Sequence, residues 1–440
     1  MYNSKSGAFA SVPIEIKPLI DKILTNPNCI DANEEARNEL LHGSFILDED
    51  CSELEEVKSV HYRYKENKSS MILTLLSSEN CNFKCPYCFI YKRRGFNMKP
   101  WVYDSVIKLI ESNIVPDFKL RINFFGGEPT LAHRETISFL KQVRELSLKN
   151  NFKELKYSMV TNGYLLTKEK FIEYLSLGLN SFQITLDGDA TTHDKTRCLT
   201  NGQGTYNKIW NNLLDIKTIP GEWDVAIRSN FLQGMDKEIS SLTKEFNDNL
   251  ASDKRFSIYF RPVYNFETER DDICSVETNL YSLEDGVYKQ MEYNLNSAKT
   301  NGELRKEMLL SNPIPMPIPS WCDTEKGNFW VVGADGLLFK CDSYVGDADK
   351  ASAKLNSDGT ITYFDNYDWN KSVYDNKINT KCLECKMLPI CQGGCPRLRK
   401  EGNTDCYFKH EMLETAMINT HKFHLENKGE SKCLTGINNQ

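Results

Sequence analysis

The 440-residue sequence predicts an α/β fold: a partial (β/α)6 barrel of TIM type, with a small N-terminal domain before it and a cysteine-rich C-terminal domain after it. Three observations carry this expectation. From residue 71 to about 263, short apolar runs alternate with longer stretches of helical period, the pattern of repeated βα units on a parallel sheet. Nearly every apolar run ends in a polar or glycine-rich turn, and in parallel barrels the carboxyl-end loops are where chemistry collects. Three of the 15 cysteines crowd into the first such turn and seven more lie between Cys322 and Cys406.

In chain order, the first 70 residues hold a β-like run over 7–16, a helix over 18–25 whose Pro18 suits a first turn, and an acidic amphipathic stretch over 33–60. Strands are expected over 73–77, 120–125, 157–161, 181–186, 225–231 and 257–263, with helices near 101–113, 133–149, 168–177, 204–217 and 235–249. The run Asn-Pro-Ile-Pro-Met-Pro-Ile-Pro-Ser over 312–320 cannot be helical and should be an extended connector, which places a domain boundary there. The expected domains are therefore 1–70, 71–311 and 312–410, with a helix and tail over 411–440. Residues 312–410 are short of long periodic elements, and such a segment is usually held by metal or sulfur crosslinks.

Composition narrows the function. With 54 Lys plus Arg against 61 Asp plus Glu, the net charge of −7 supplies none of the positive field that a phosphate backbone needs, which argues against nucleic acid. No apolar run approaches the roughly 20 residues of a membrane span, and no signal peptide follows Met1, so a soluble cytoplasmic protein without a membrane partner is expected. An odd cysteine count in that setting points to reduced thiolates that ligate metal or clusters.

The first cysteine group is Cys81-Asn82-Phe83-Lys84-Cys85-Pro86-Tyr87-Cys88, directly after the first strand. Three thiolates in one loop can bind three irons of a four-iron cluster and leave the fourth iron open. Zinc would want a fourth protein ligand nearby, and no Cys or His follows until His133.

This loop resembles that of the radical S-adenosylmethionine (SAM) superfamily. The resemblance implies that the open iron chelates SAM and that an electron from the cluster cleaves it to a 5'-deoxyadenosyl radical. It also implies that Tyr87 belongs to the SAM site. Phe124-Phe125-Gly126-Gly127-Glu128-Pro129 looks like the family's motif for the methionyl amine, with glycines allowing close approach and Glu128 accepting from the ammonium. Thr161-Asn162-Gly163 closes the third strand. Gln183-Ile184-Thr185-Leu186-Asp187-Gly188, followed by His193-Asp194 and Arg197, resembles the segment that contacts the SAM carboxylate or ribose. Arg228 and Asn230 alternate with apolar neighbours on the fifth strand, where both a SAM contact and an ordinary structural role stay open.

The second group is similar to the SPASM domain, an extension that carries two auxiliary four-iron clusters. By that resemblance Cys382, Cys385, Cys391 and Cys406 complete one cluster, and Cys322, Cys341 and Cys395 hold the other. No further cysteine stands between Cys322 and Cys341, so the second cluster has either an open iron or a ligand such as Cys274, Cys433 or water. A zinc-binding reading of the region stays open, since Cys-x-x-Cys pairs also hold zinc. Cys29, Cys51, Cys198, Cys274 and Cys433 read as buried or incidental thiols.

Enzymes with this pair of domains mostly modify peptides or proteins. Cys341-Asp342 resembles the anaerobic sulfatase-maturing enzymes, where the Asp acts as a base while Cys or Ser becomes formylglycine. Residues 1–70 loosely resemble the leader-binding domain of maturases of ribosomally made peptides, which would take the leader as an added strand. The expected function is thus a radical SAM peptide maturase that installs a crosslink, most plausibly a Cys thioether, with formylglycine formation as the alternative. It implies three 4Fe-4S clusters, SAM, a precursor peptide with a leader, and a reductant such as flavodoxin or ferredoxin.

Overall fold

The computed structural model describes residues 1–28, 33–47, 51–88, 90, 95–263, 279–299, 314–365, 367–369, 371–375, 380–402, 406, 413–418 and 420–421. The chain divides into two compact units. One is Asn67–Glu307 with Gly327–Tyr367; the other is Met1–Glu66, Met308–Lys326 and Asp368–Gln440.

In the first unit the six expected strands form, with ends moved by only a few residues: β1 (Ser70–Ser78), β2 (Lys119–Gly126), β3 (Glu154–Thr161), β4 (Leu179–Thr185), β5 (Asp224–Phe231) and β6 (Phe256–Pro262). Each pairs parallel with the next. The expected helices are there too, at Pro100–Ser112, His133–Asn150, Lys168–Ser176, Tyr206–Lys217 and Asp236–Asn249. β1 is covered on both faces, which is why Met71, Ile72, Leu73, Leu75 and Leu76 are all buried and its sequence reads as one apolar run. Phe124, Phe139, Phe171 and Phe182 fill the layer between strands and helices. The strands' common direction brings the ends of β1 to β5 to one rim.

Residues 327–367, grouped by their sequence with the cysteine-rich segment, continue this sheet instead. β7 (Phe329–Val332) is buried at all four positions and pairs parallel with the free edge of β1. β8 (Leu337–Phe339), β9 (Ala353–Leu355) and β10 (Ile361–Tyr363) follow as an antiparallel meander, giving the order β10-β9-β8-β7-β1-β2-β3-β4-β5-β6. The tight turn before β8 needs Gly336 at φ +86°, where a Cβ would lie 2.6 Å from the Trp101 ring.

The second unit is mostly helical. Lys17–Thr25, Glu34–His42 and Glu53–Lys65 supply its N-terminal helices, and Asn33 caps the second by accepting from the Glu35 and Ala36 N–H groups. Ile20, Ile23, Leu40 and Ile46 form a small core. The β-like run expected over 7–16 is not a strand: Tyr2 and Phe9 make an isolated bridge and the chain turns at 14–16. Among the described residues of 1–66 there is thus no sheet edge for an added leader strand. The proline-alternating run is no free connector either, since Tyr2 donates to the Pro315 carbonyl, His61 Nδ1 lies 2.9 Å from that of Pro319, and Gln392 Nε2 donates to that of Ile318 at 2.9 Å. No described helix is long and apolar enough to cross a membrane.

Gly336→Val should lower stability by roughly 2–4 kcal/mol, combining left-handed strain with overpacking against Trp101. Urea unfolding of the full chain measures it.

Candidate active site

The cysteine loop leaves β1 and is pinned from two sides. The Gly127 and Glu128 N–H groups donate to the carbonyls of Ser78 and Asn80 at 2.8 and 2.7 Å. A Cβ on Gly126 would meet the Ser78 carbonyl at 2.4 Å, and one on Gly127 the Asn80 carbonyl at 2.1 Å. The two glycines therefore make room for the chain that leads into the loop, a role the sequence did not separate from ligand approach. Asn162 Nδ2 donates to Asn82 Oδ1 at 2.8 Å, tying the loop to the end of β3.

Glu128 is fully buried and takes all its donors from the protein. Oε1 accepts from the Thr130 N–H and hydroxyl at 3.0 and 2.5 Å and from the Thr161 hydroxyl at 2.6 Å, and Oε2 accepts from the Asn162 N–H at 2.7 Å. The carboxylate knots the ends of β2 and β3 together, with Pro129 opening a buried 3-10 turn beside it. It is placed as a brace for this rim rather than as an exposed acceptor.

Opposite the brace lies a hub around Tyr87. Its hydroxyl donates to Asp187 and accepts from Arg197 Nη1 at 3.0 Å. Asp187 Oδ1 also accepts from Asn230 through its backbone N–H at 3.0 Å and its Nδ2 at 3.2 Å. Arg228 Nε donates to Asn230 Oδ1 at 2.9 Å, so β5 feeds two side chains into one network. Thr185, the buried end of β4, is in register with Arg228. Burial drives the Asp187 carboxyl up against the opposing pull of Arg197, and drives the Tyr87 phenol far above its ordinary range. Burial works against the Arg197 charge, but Tyr87, Cys85 and Asp187 outweigh it.

His193 fixes the turn that presents Arg197. Buried and driven neutral by desolvation and then by Arg197, it accepts from the Asp187 N–H at 3.2 Å through Nδ1, which leaves Nε2–H for Thr205 Oγ1 at 3.0 Å. Asp194 holds the next helix start by accepting from the Thr205 and Tyr206 N–H groups.

The three loop thiols are mutually close. Burial pushes Cys85 up to about 12, with Arg197 opposing and Cys88, Cys81 and Asp187 adding to the rise. Among the described residues no three His, Cys, Asp or Glu groups gather tightly enough to hold a single metal ion, as a zinc cage would require. Thiols that bind separate irons of one cluster need not share a coordination shell. Arg197 Nε is buried without a hydrogen-bond partner among the described residues, a donor left over for an anionic ligand beside the loop. The residues present thus suit a site-differentiated cluster with a carboxylate-bearing cofactor.

Asp342 follows Cys341 past the end of β8, with the Cys341 sulfur 3.7 Å from its Oδ1 and 3.0 Å from Ser343 Oγ. The Asp342 side chain is exposed to solvent, which makes it reachable. Dehydration raises its pKa, while Cys341, nearby N–H groups and the Arg228 charge pull it back.

In the second unit, Cys382, Cys385, Cys391 and Cys406 are also gathered. Burial and then Cys406, Cys382 and Cys385 push Cys391 up to about 11, and burial, Cys385 and Cys406 raise Cys382. Cys322 and Cys395 stand at the starts of a 3-10 turn and a short helix in that unit. Cys29, Cys274 and Cys433 lie outside the described residues. Asn82 and Thr205 carry no sequence signal of their own; their roles follow from loop contacts.

Tyr87→Phe removes the atom at which Asp187 and Arg197 meet. It should weaken SAM binding to the reconstituted protein by roughly 10- to 100-fold, the worth of a charge-assisted hydrogen bond, as read by equilibrium dialysis.

Residues 75–221 match the Radical SAM superfamily. A cysteine-type anaerobic sulfatase-maturating enzyme of Clostridium novyi is 28% identical over 360 residues, 76% of this chain and 90% of that protein. The radical SAM cyclopropyl synthase TigE of Paramaledivibacter caminithermalis is 22% identical over 403 residues, 81% and 75% of the two chains. In fold, the chain resembles Streptococcus suis SuiB bound to its precursor peptide SuiA, with a TM-score of 0.51 and 18% identity over 91% of this chain and 88% of that one. Strand order, cysteine loop and sequence match agree: residues 75–221 of this chain form a Radical SAM superfamily domain.

Proposed function

We propose that the enzyme is a peptide maturase that draws a hydrogen from one residue of a ribosomally made precursor and joins a cysteine sulfur to that carbon as a thioether. The observation that carries this reading is Asp342: an accessible carboxyl with a raised pKa, in the same unit as the cysteine loop and within the field of Arg228. A thiol that becomes a thioether must lose its proton, and closing the carbon–sulfur bond on the carbon radical releases one electron; a carboxyl dehydrated in this way is suited to take the proton, and an auxiliary cluster would accept the electron.

Held by Cys81, Cys85 and Cys88, a 4Fe-4S cluster with SAM supplies the hydrogen-abstracting radical. The chain's own residues orient and shield. Tyr87, Asp187 and Arg197 would hold the cofactor's polar end, Gly126, Gly127, Glu128, Pro129 and Asn162 keep the rim in place, and Thr185 and Arg228 would line the side towards Asp342. Cys382, Cys385, Cys391 and Cys406 would hold an auxiliary cluster, and Cys322 and Cys395 would serve another. An external reductant such as flavodoxin or ferredoxin would supply electrons. The SuiB complex with a precursor peptide supports a peptide partner.

The C. novyi relative favours a second reading, in which the same Asp342 serves formylglycine formation on a sulfatase cysteine. Accurate mass with thiol alkylation, on a Cys-containing peptide encoded beside the gene and co-expressed anaerobically, separates the two. Loss of two hydrogens with one fewer alkylatable thiol is the expected result; an unchanged peptide together with conversion of a sulfatase cysteine to an aldehyde would replace it with the second reading.

Asp342→Asn should slow peptide conversion by about 10²- to 10⁴-fold, the range of a lost general base, while SAM cleavage persists. Arg228 lowers the pKa of Asp342. Removing that cation in Arg228→Gln should therefore move the acid limb of the conversion rate to higher pH, which a pH profile measures.

A further inference from the structure

We propose that Arg399, clamped by Glu325, is a positioning residue for the auxiliary cluster ligands: it fixes the turn between Cys391 and Cys395 against the turn that begins at Cys322. The inference rests on the reading that these cysteines hold iron–sulfur clusters.

The turn between the two cysteines has one internal bond, from the Gly394 N–H to the Cys391 carbonyl at 2.8 Å, and is otherwise tied from outside. Gln392, Gly393 and Gly394 all have positive φ, at +49°, +73° and +71°, three successive left-handed residues. Gln392 is buried in that conformation, and its side chain is bound at both ends, donating to the Ile318 carbonyl at 2.9 Å and accepting from the Tyr374 hydroxyl at 2.8 Å. Arg399 Nη1 then donates to the carbonyls of Gln392 at 3.1 Å and Gly394 at 2.7 Å. One guanidinium nitrogen thus spans the turn.

The other side of the fork reaches Cys322. Arg399 Nη2 donates to Glu325 Oε1 at 2.5 Å, and both side chains are buried. Glu325 Oε2 lies 2.5 Å from Ser320 Oγ, which is 2.9 Å from the Cys322 carbonyl and accepts from the Cys322 N–H at 3.4 Å. A planar fork is the group that can satisfy two carbonyls and a carboxylate at fixed angles, which a lysine cannot do. Buried ion pairs of this kind add little net stability compared with an apolar pair of similar shape. Placement of the two cysteine turns is the use its contacts support.

The test uses the full chain, reconstituted anaerobically, as wild type, Glu325→Gln/Arg399→Met and Arg399→Lys. The double variant leaves no unpaired buried charge, so its fold should persist. Iron and sulfide per chain, the thermal midpoint before reconstitution, and cluster potentials by paramagnetic resonance are read together. The expected result is an apo midpoint within a few degrees of wild type, loss of about a third of the iron, as for one four-iron cluster of three, and retained SAM cleavage. Any auxiliary cluster left should change its potential in the double variant, which frees its ligand turns with no net change of charge, while Arg399→Lys still loses iron. Full iron with unchanged potentials in the double variant would overturn the proposal. So would a collapsed apo midpoint, which would make the pair a folding element. A wild-type chain that binds only about four irons would remove the cluster reading itself, and this inference with it.

Discussion

Three groups buried beside the cysteine loop, the Tyr87 phenol, the Asp187 carboxyl and the Arg197 guanidinium, have almost no water to solvate them and must solvate one another. A buried charge without a partner is costly, so each group's position is set by the other two. Tyr87 comes from the cysteine loop, Asp187 from the end of β4, and Arg197 from the turn that His193 holds. Asn230 adds β5 through two bonds to the same carboxylate. The hub therefore locks the loop to the barrel rim, and Arg228 carries its reach towards Asp342.

The brace on the other side works by the same economy. Glu128 has four donors, two from Thr130 in the turn after β2 and two from Thr161 and Asn162 at the end of β3, and the two glycines before it let that rim press directly on the chain entering the loop. A loop pinned from both sides can present three thiols without a rigid strand of its own. The motif resemblance placed Glu128 and the glycines at the site, and the geometry gives them structural work there.

The barrel was legible because its strands and helices are long enough to show a period: Tyr157, Met159 and Thr161 face one side of β3, just as their alternation implies. The edge of the sheet was not. β7 to β10 have three or four residues each, too few for a period, and the pairing of β7 with β1 joins residues more than two hundred positions apart. The N-terminal run over 7–16 misled for the opposite reason, since Phe9 makes only an isolated bridge to Tyr2 and Ile14 and Ile16 are exposed in a turn. In the site, the cysteines, Asp187 and His193 were legible as motif, whereas Asn82 and the Glu325–Arg399 pair were not. Their functions are contacts between distant segments, and a single side chain in a polar loop carries no mark of its partner.

The central claim is that the Tyr87–Asp187–Arg197 hub shapes a SAM site beside the loop cluster. The most direct test is the paramagnetic resonance spectrum of the reduced, reconstituted chain with and without SAM, in wild type and Asp187→Ala at equal iron content. The account predicts that SAM alters the cluster signal in wild type and leaves it nearly unchanged in the variant at the same concentration. An identical change in both would contradict it.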